Sequence, residues 1–300
     1  MTADRPLLGV LLMLGFCLVA PLIDVAAKLA AAFVSVGMIT LARYVVQGAL
    51  MAAMLPPMGL DLRLPRRLWG MMALRAAMSL VSTFAFVAAV AVMPLADAVA
   101  IVYVEPFVVM LLGWLLMAEA VGPRRIAAAS VGFVGALLVI QPNLAAFGAV
   151  ALLPLLTAVS FAVYVLATRQ MRGMHPVAMQ FHTAWMAVAM GLPLVLGLGT
   201  GLGWAPAALE AVPSAWAWGL LFGVGLAASV SHLCITWALR LAPSSTLAPL
   251  GYLEIPVVAV LGWLVFADLP GTVALAGIVL ITGAGLYVIH RERVAAQAER

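Results

Sequence analysis

Two acids stand where acids are costly. Glu105 lies between Tyr103–Val104 and Pro106, in a run that is otherwise apolar through Gly113–Trp114. The arrangement returns at Tyr252–Leu253–Glu254–Ile255–Pro256 and Gly262–Trp263. The offset is constant, since 252 − 103, 254 − 105, 262 − 113 and 263 − 114 all equal 149. The same offset pairs Pro94 with Pro243, Glu119 with Asp268 and Gly122 with Gly271. A carboxylate within an apolar helix is unfavourable unless it faces protein or a water-filled cavity. Each acid is followed by a proline, which lacks an N–H. The carbonyls of Val102 and Tyr252 are therefore expected to lose their helical partners. An interrupted helix with free carbonyls and an acid at the membrane midplane suits a solute or ion site. Pro106 and Pro256 are predicted kinks or hinges. Tyr103 and Tyr252 are predicted stacking surface beside the acids.

Further polar residues fall on helix faces. Arg75, Ser79, Ser82 and Phe86 are spaced 4, 3, 4, and Ser229, His232, Thr236 and Arg240 are spaced 3, 4, 4. Each set shares one face. Cys17, Pro21, Asp24 and Lys28 form a third stripe, and Thr157, Phe161, Tyr164 and Thr168 repeat its spacing 140 positions later. Polar stripes cannot face lipid tails cheaply, so they turn to other helices or to water. The candidate substrate-binding set is thus Glu105, Glu254, Tyr103, Tyr252, Arg43, Arg75, Ser79, Ser82, Tyr164, His182, Trp185, Ser229, His232 and Trp237. For each Ser and Thr the alternative is packing between helices. Arg75 either snorkels as an anchor or belongs to the site. Asp24 and Lys28 are expected to form a local ion pair. Glu119 and Asp268, at helix ends, are expected to be solvated. Gly219 and Gly223 signal close helix packing. The sequence has no HExxH and no clustered Cys or His, so no metal, cofactor or catalytic residue is expected. Cys17 and Cys234 read as small hydrophobes.

These residues need apolar elements to hold them. The chain is 66% hydrophobic and only 9% charged, against about 25% charged in soluble domains. Its mean hydropathy is +1.20. A span needs roughly 20 apolar residues, and ten segments qualify: 7–30, 35–55, 68–92, 94–117, 123–141, 146–169, 176–197, 214–239, 243–267 and 271–290. The first reads as a retained helix rather than a signal peptide, since many similar runs follow it. The net charge of +4 does not point to nucleic acid, because the basic residues sit in short loops at helix ends. Alternate loops hold Arg63, Arg66 and Arg67; Arg124 and Arg125; Arg169 and Arg172; and Arg240. The other set holds at most Lys28. By the positive-inside rule both termini are expected in the cytoplasm. Five spans per half then invert the second half relative to the first. The predicted fold is an all-α integral membrane protein, with two inverted five-helix repeats at residues 1–143 and 144–300. Inverted repeats of this kind are a transporter device.

The combination of Pro106, Gly113–Trp114, Glu119, Gly132 and Gly135 resembles the EamA domain. The second half repeats it with Pro256, Gly262–Trp263, Asp268, Gly277, Gly283 and Gly285. Two such domains in tandem resemble the drug/metabolite transporter superfamily. The resemblance implies a secondary transporter of the bacterial inner membrane that exports amino acids or related small metabolites by alternating access. It also implies a cavity lined by helices one, three, four, six, eight and nine. The family pattern does not demand Tyr-x-Glu before the proline, so substrate choice does not carry over through it. The expected partners are a small-molecule substrate and the bilayer, with no nucleic acid, and the expected state is a monomer or weak dimer. A multidrug or cationic-compound exporter is the alternative. A membrane-embedded enzyme is the rival of another class, and it lacks a visible nucleophile–base pair. A channel would show a filter loop or charged ring, and ATP coupling would need a Walker sequence. A retinal-type Schiff base would need a buried lysine, and the only lysine is Lys28, near a helix end.

Overall fold

A computed structural model describes residues 5–93, 95–119, 121–140, 148–195, 214–266 and 271–298. Every regular element among the described residues is helical. The helices are α1 (Pro6–Ala30), α2 (Val36–Met54), α3 (Trp69–Val92), α4 (Leu95–Val102), α5 (Glu105–Met117) and α6 (Pro123–Ile140), followed by α7 (Leu152–Gln170), α8 (Pro176–Val195), α9 (Ala215–Leu241), α10 (Ser244–Leu247), α11 (Glu254–Phe266) and α12 (Thr272–Ala298). Seven helical stretches among the described residues are long and apolar enough to cross a bilayer. The protein is a multi-pass membrane protein.

Local sequence explains most boundaries. Proline opens α1, α6 and α8, where its missing N–H costs nothing. The hydroxyls of Ser35 and Ser214 cap α2 and α9 by accepting the N–H groups of Met38 and Ala217. The expected helix over 94–117 is two helices, because the chain turns at Tyr103–Val104. The expected helix over 243–267 begins as α10, tightens into a 3-10 stretch at Ala248–Leu253, and resumes as α11. Segment 146–169 starts with the 3-10 turn Gly148–Ala151, and α12 runs past its expected end at 290. At the end of α5, Ala118 takes a left-handed conformation with φ 51°. The Glu119 N–H then closes back on the Gly113 carbonyl at 3.1 Å, a glycine-type helix stop made by alanine.

Helices pack across the chain rather than along it. The main contacts join α1 with α9, α3 with α7, α2 with α8 and α9, and α6 with α12. Small residues permit this. A Cβ at Gly9 would lie 2.6 Å from the Ala242 Cβ, and one at Gly135 would lie 2.9 Å from the Gly277 carbonyl oxygen. The Gly219–Gly223 pair corrects the expectation drawn from it: a Cβ on either would meet open space, and the close approach on α9 is Gly225 against Val46. Large apolar side chains such as Leu18, Val92, Leu116 and Val279 stay exposed, as a lipid-facing surface requires.

Candidate substrate cavity

A cavity of about 170 Å³ lies between α1, α2, α3, α4, α5, α7, α9 and the broken stretch before α11. Three carboxylates face it: Asp24, Glu105 and Glu254. Glu105 is the first residue of α5 and Glu254 the first of α11. Both halves thus place an acid at a helix start, where unpaired N–H groups and the helix dipole favour negative charge. At the first break the N–H groups of Phe107 and Val108 both turn to the Val104 carbonyl. The second break differs from expectation. The Tyr252 carbonyl keeps a partner: the Glu254 N–H, which makes the 3-10 bond to the Gly251 carbonyl, also reaches that of Tyr252.

Arg43, His232, Ser79, Ser82 and Thr83 line the same cavity. Arg43 donates through Nη1 to the Tyr44 hydroxyl at 3.1 Å and to the Thr83 hydroxyl, and through Nη2 to His232 Nε2 at 2.7 Å. A guanidinium only donates. His232 Nε2 must therefore carry no proton, and Nδ1–H donates to the Tyr164 hydroxyl at 2.9 Å; this tautomer is assigned from the network. Arg43 Nε is buried without a partner. Among the described residues no carboxylate pairs with Arg43 or Arg75, although Asp24 is close enough to Arg43 to interact electrostatically.

Arg75 backs this wall. It is 0% exposed, so it does not snorkel. Its Nε donates to Thr168 at 2.7 Å, Nη1 to Thr183, and Nη2 to Tyr164 at 2.8 Å and Thr236 at 3.3 Å. The guanidinium also lies 4.4 Å over the Tyr164 ring. Gln180 joins the network by donating to Thr236 at 2.6 Å and to the His232 carbonyl at 2.8 Å, and it accepts from Gln47 at 2.7 Å. Arg75 and Tyr164 thus position the cavity residue His232 from behind. Tyr44, Gln47, Thr83, Gln180 and Thr183 were not in the predicted set.

The structure separates the remaining predicted residues. Tyr103 lines the cavity, whereas Tyr252 is buried behind it. Pro106 lines the cavity and Pro256 does not. Ser229 bonds the carbonyl of Gly225 on its own helix at 2.7 Å. His182 packs on Phe181, and Trp185 is 41% exposed beside Gly48, both away from the cavity. Trp237 meets His175 edge to face and lies under the Arg240 guanidinium. Aromatic residue type carried no information about face, which is why these three are misplaced. Asp24 lines the cavity. Glu119 is not solvated, its side chain being 9% exposed, and Asp268 lies outside the described residues.

The family described as "EamA-like transporter family" matches residues 7–141 and again residues 148–290. The chain belongs to that family. A "Riboflavin transporter" of Rhizobium johnstonii is 32% identical over 208 residues, 69% of this chain and 66% of that protein. A "Pseudopaline exporter" of Pseudomonas aeruginosa is 28% identical over 214 residues, 70% and 72% of the two chains. An "S-adenosylmethionine uptake transporter" of Rickettsia felis is 24% identical over 203 residues, 67% and 65% of the two chains. A crystal structure at 19% identity superposes with a TM-score of 0.73 over 92% of this chain and 94% of the other, a likeness of fold. This EamA-like protein is a transporter of small metabolites and not an enzyme.

Proposed function

We propose that the EamA-like protein carries small zwitterions, amino acids and their close relatives, through the central cavity by alternating access across the bacterial inner membrane. One observation carries the reading. Arg43, with Nε unpaired, shares the cavity with three carboxylates that have no bonded partner among the described residues. A substrate carboxylate suits a guanidinium that no carboxylate pairs among the described residues and whose Nε lacks a partner, and a substrate ammonium suits Asp24, Glu105 or Glu254. Size agrees, since about 170 Å³ is below the roughly 300–1,000 Å³ of sites for drug-sized ligands. One relative's name specifies S-adenosylmethionine, a methionine derivative.

The halves at 1–143 and 144–300 work as inverted repeats in this reading. If α1, α2, α3 and α6 correspond to α7, α8, α9 and α12, a two-fold exchanges the α1–α9 contact with the α7–α3 contact. It maps α2–α8 and α6–α12 onto themselves, and all four contacts occur. The family match also repeats. The arginine distribution supports an orientation with both termini in the cytoplasm.

An acid excess favours a second reading, in which cationic compounds compete for the cavity. Purified protein in liposomes decides between them through counterflow of labelled amino acids against their descarboxy and desamino analogues. The relatives' names cover both directions, so flux is measured both ways. Zwitterions are expected to exchange and both kinds of analogue to fail. Exchange of descarboxy amines alone favours the cationic reading, and absence of any exchange rejects both.

A further inference from the structure

We propose that Glu119 is the inner gate of the transporter, a latch that closes the cytoplasmic mouth of the cavity. The word inner rests on the topology proposed above; the latch itself rests on geometry. Glu119 Oε2 accepts from the Ser244 hydroxyl at 2.8 Å and from the Ser245 N–H at 2.9 Å. Its Oε1 accepts from the Ser244 N–H at 3.2 Å and lies 3.8 Å from Arg169 Nε. Arg125 adds a bond to the Ser245 hydroxyl at 3.2 Å. One carboxylate therefore pins the end of α5 to the end of α7 and the start of α10. Left-handed Ala118 turns it inward.

Three features make this a gate rather than packing. First, Ser244 is part of the cavity wall, as is Leu239, whose carbonyl accepts from Arg169 at 2.9 Å. The latched residues are thus the cavity floor. Second, Gly113 of the repeated Gly–Trp motif makes room for the latch: a Cβ there would lie 3.3 Å from both Glu119 Oε2 and Ser244 Oγ. Third, α5 carries Glu105 at one end and leads into Glu119 at the other. Its 13 residues form a rod about 20 Å long. A solute that pulls on Glu105 moves the same rod that the latch holds.

The test places one reporter cysteine in the cavity wall, Val109→Cys with Cys17→Ala and Cys234→Ala. A membrane-impermeant maleimide is applied to vesicles of each orientation. Loss of a charged hydrogen-bond partner is worth about 1.5–3 kcal/mol, so Glu119→Ala is expected to speed labelling from the cytoplasmic face by about tenfold or more, with Glu119→Gln between. Should Glu119→Ala fail to fold, Ser244→Ala removes one latch bond and is expected to give a smaller rise on the same face. Unchanged labelling from both faces in folded variants overturns the latch. A rise from the outer face alone keeps the latch and overturns the proposed topology. Neither outcome depends on the substrate.

Discussion

The hydroxyl of Tyr252 donates to the backbone carbonyl of Tyr103 at 2.8 Å, and the two residues are counterparts at the 149-residue offset at which the sequence repeats. Their rings lie 5.7 Å apart at 38°. The bond ties one helix break to the other. Tyr252→Phe keeps the ring and removes the bond. A cost of about 1 kcal/mol is expected, seen as a small fall in melting temperature. Turnover in counterflow should fall with little change in substrate affinity, since Tyr252 does not face the cavity. A change in affinity alone would place its hydroxyl on the substrate.

The Tyr252 ring needs room. A Cβ at Gly132 would lie 2.5 Å from its Cδ2, so Gly132→Ala must displace a buried ring. Overpacking of this kind costs about 1–3 kcal/mol. Gly219→Ala and Gly223→Ala meet open space and should stay within about 0.5 kcal/mol of the parent. Folded yield and thermal stability in detergent compare the three directly.

Arg43→Gln should weaken carboxylate-bearing substrates by about tenfold or more, the loss of a charged hydrogen bond. Inhibition of exchange by descarboxy amines, which meet the acids without being carried, should be unaffected. Equal loss for both classes would show that Arg43 holds the wall through Thr83 and His232 rather than meeting solute.

Glu105→Gln and Glu254→Gln are similar in shape to the parent and should leave the fold intact. Each should reduce transport of ammonium-bearing substrates. Equal losses would mark a shared site, and a loss in one only would mark one binding acid and one structural helix start. Parent-like transport by both would show that the acids are architecture.

The repeated Tyr-x-Glu was legible because type, spacing and copy number all agreed. Ser79, Ser82 and His232 were legible because each shares a helical stripe. Tyr44, Gln180 and Thr183 were not, since their partners lie on other helices and no local period marks them. Glu119 was misread because a helix end is normally wet. Only the left-handed Ala118 turns it inward, and alanine is not a residue that announces that conformation. The break before Glu254 was signalled by Pro256, but the tight 3-10 path that leads into it depends on Ala248–Leu253 as a whole.

Arg75 has a consequence for synthesis. Its partner Thr168 lies 93 positions later in the chain and Thr236 lies 161 positions later. At about 5–20 residues per second, the ribosome needs roughly 5–30 s to deliver them. Through that interval α3 holds a guanidinium about two turns from its start, for which the mid-span insertion cost of about 2.5–3.5 kcal/mol is an upper figure. The helix therefore sits less favourably among the lipids while only the first half of the chain exists. Truncation before α7 should leave α3 a poor span, held at the insertion machinery or handed to quality control.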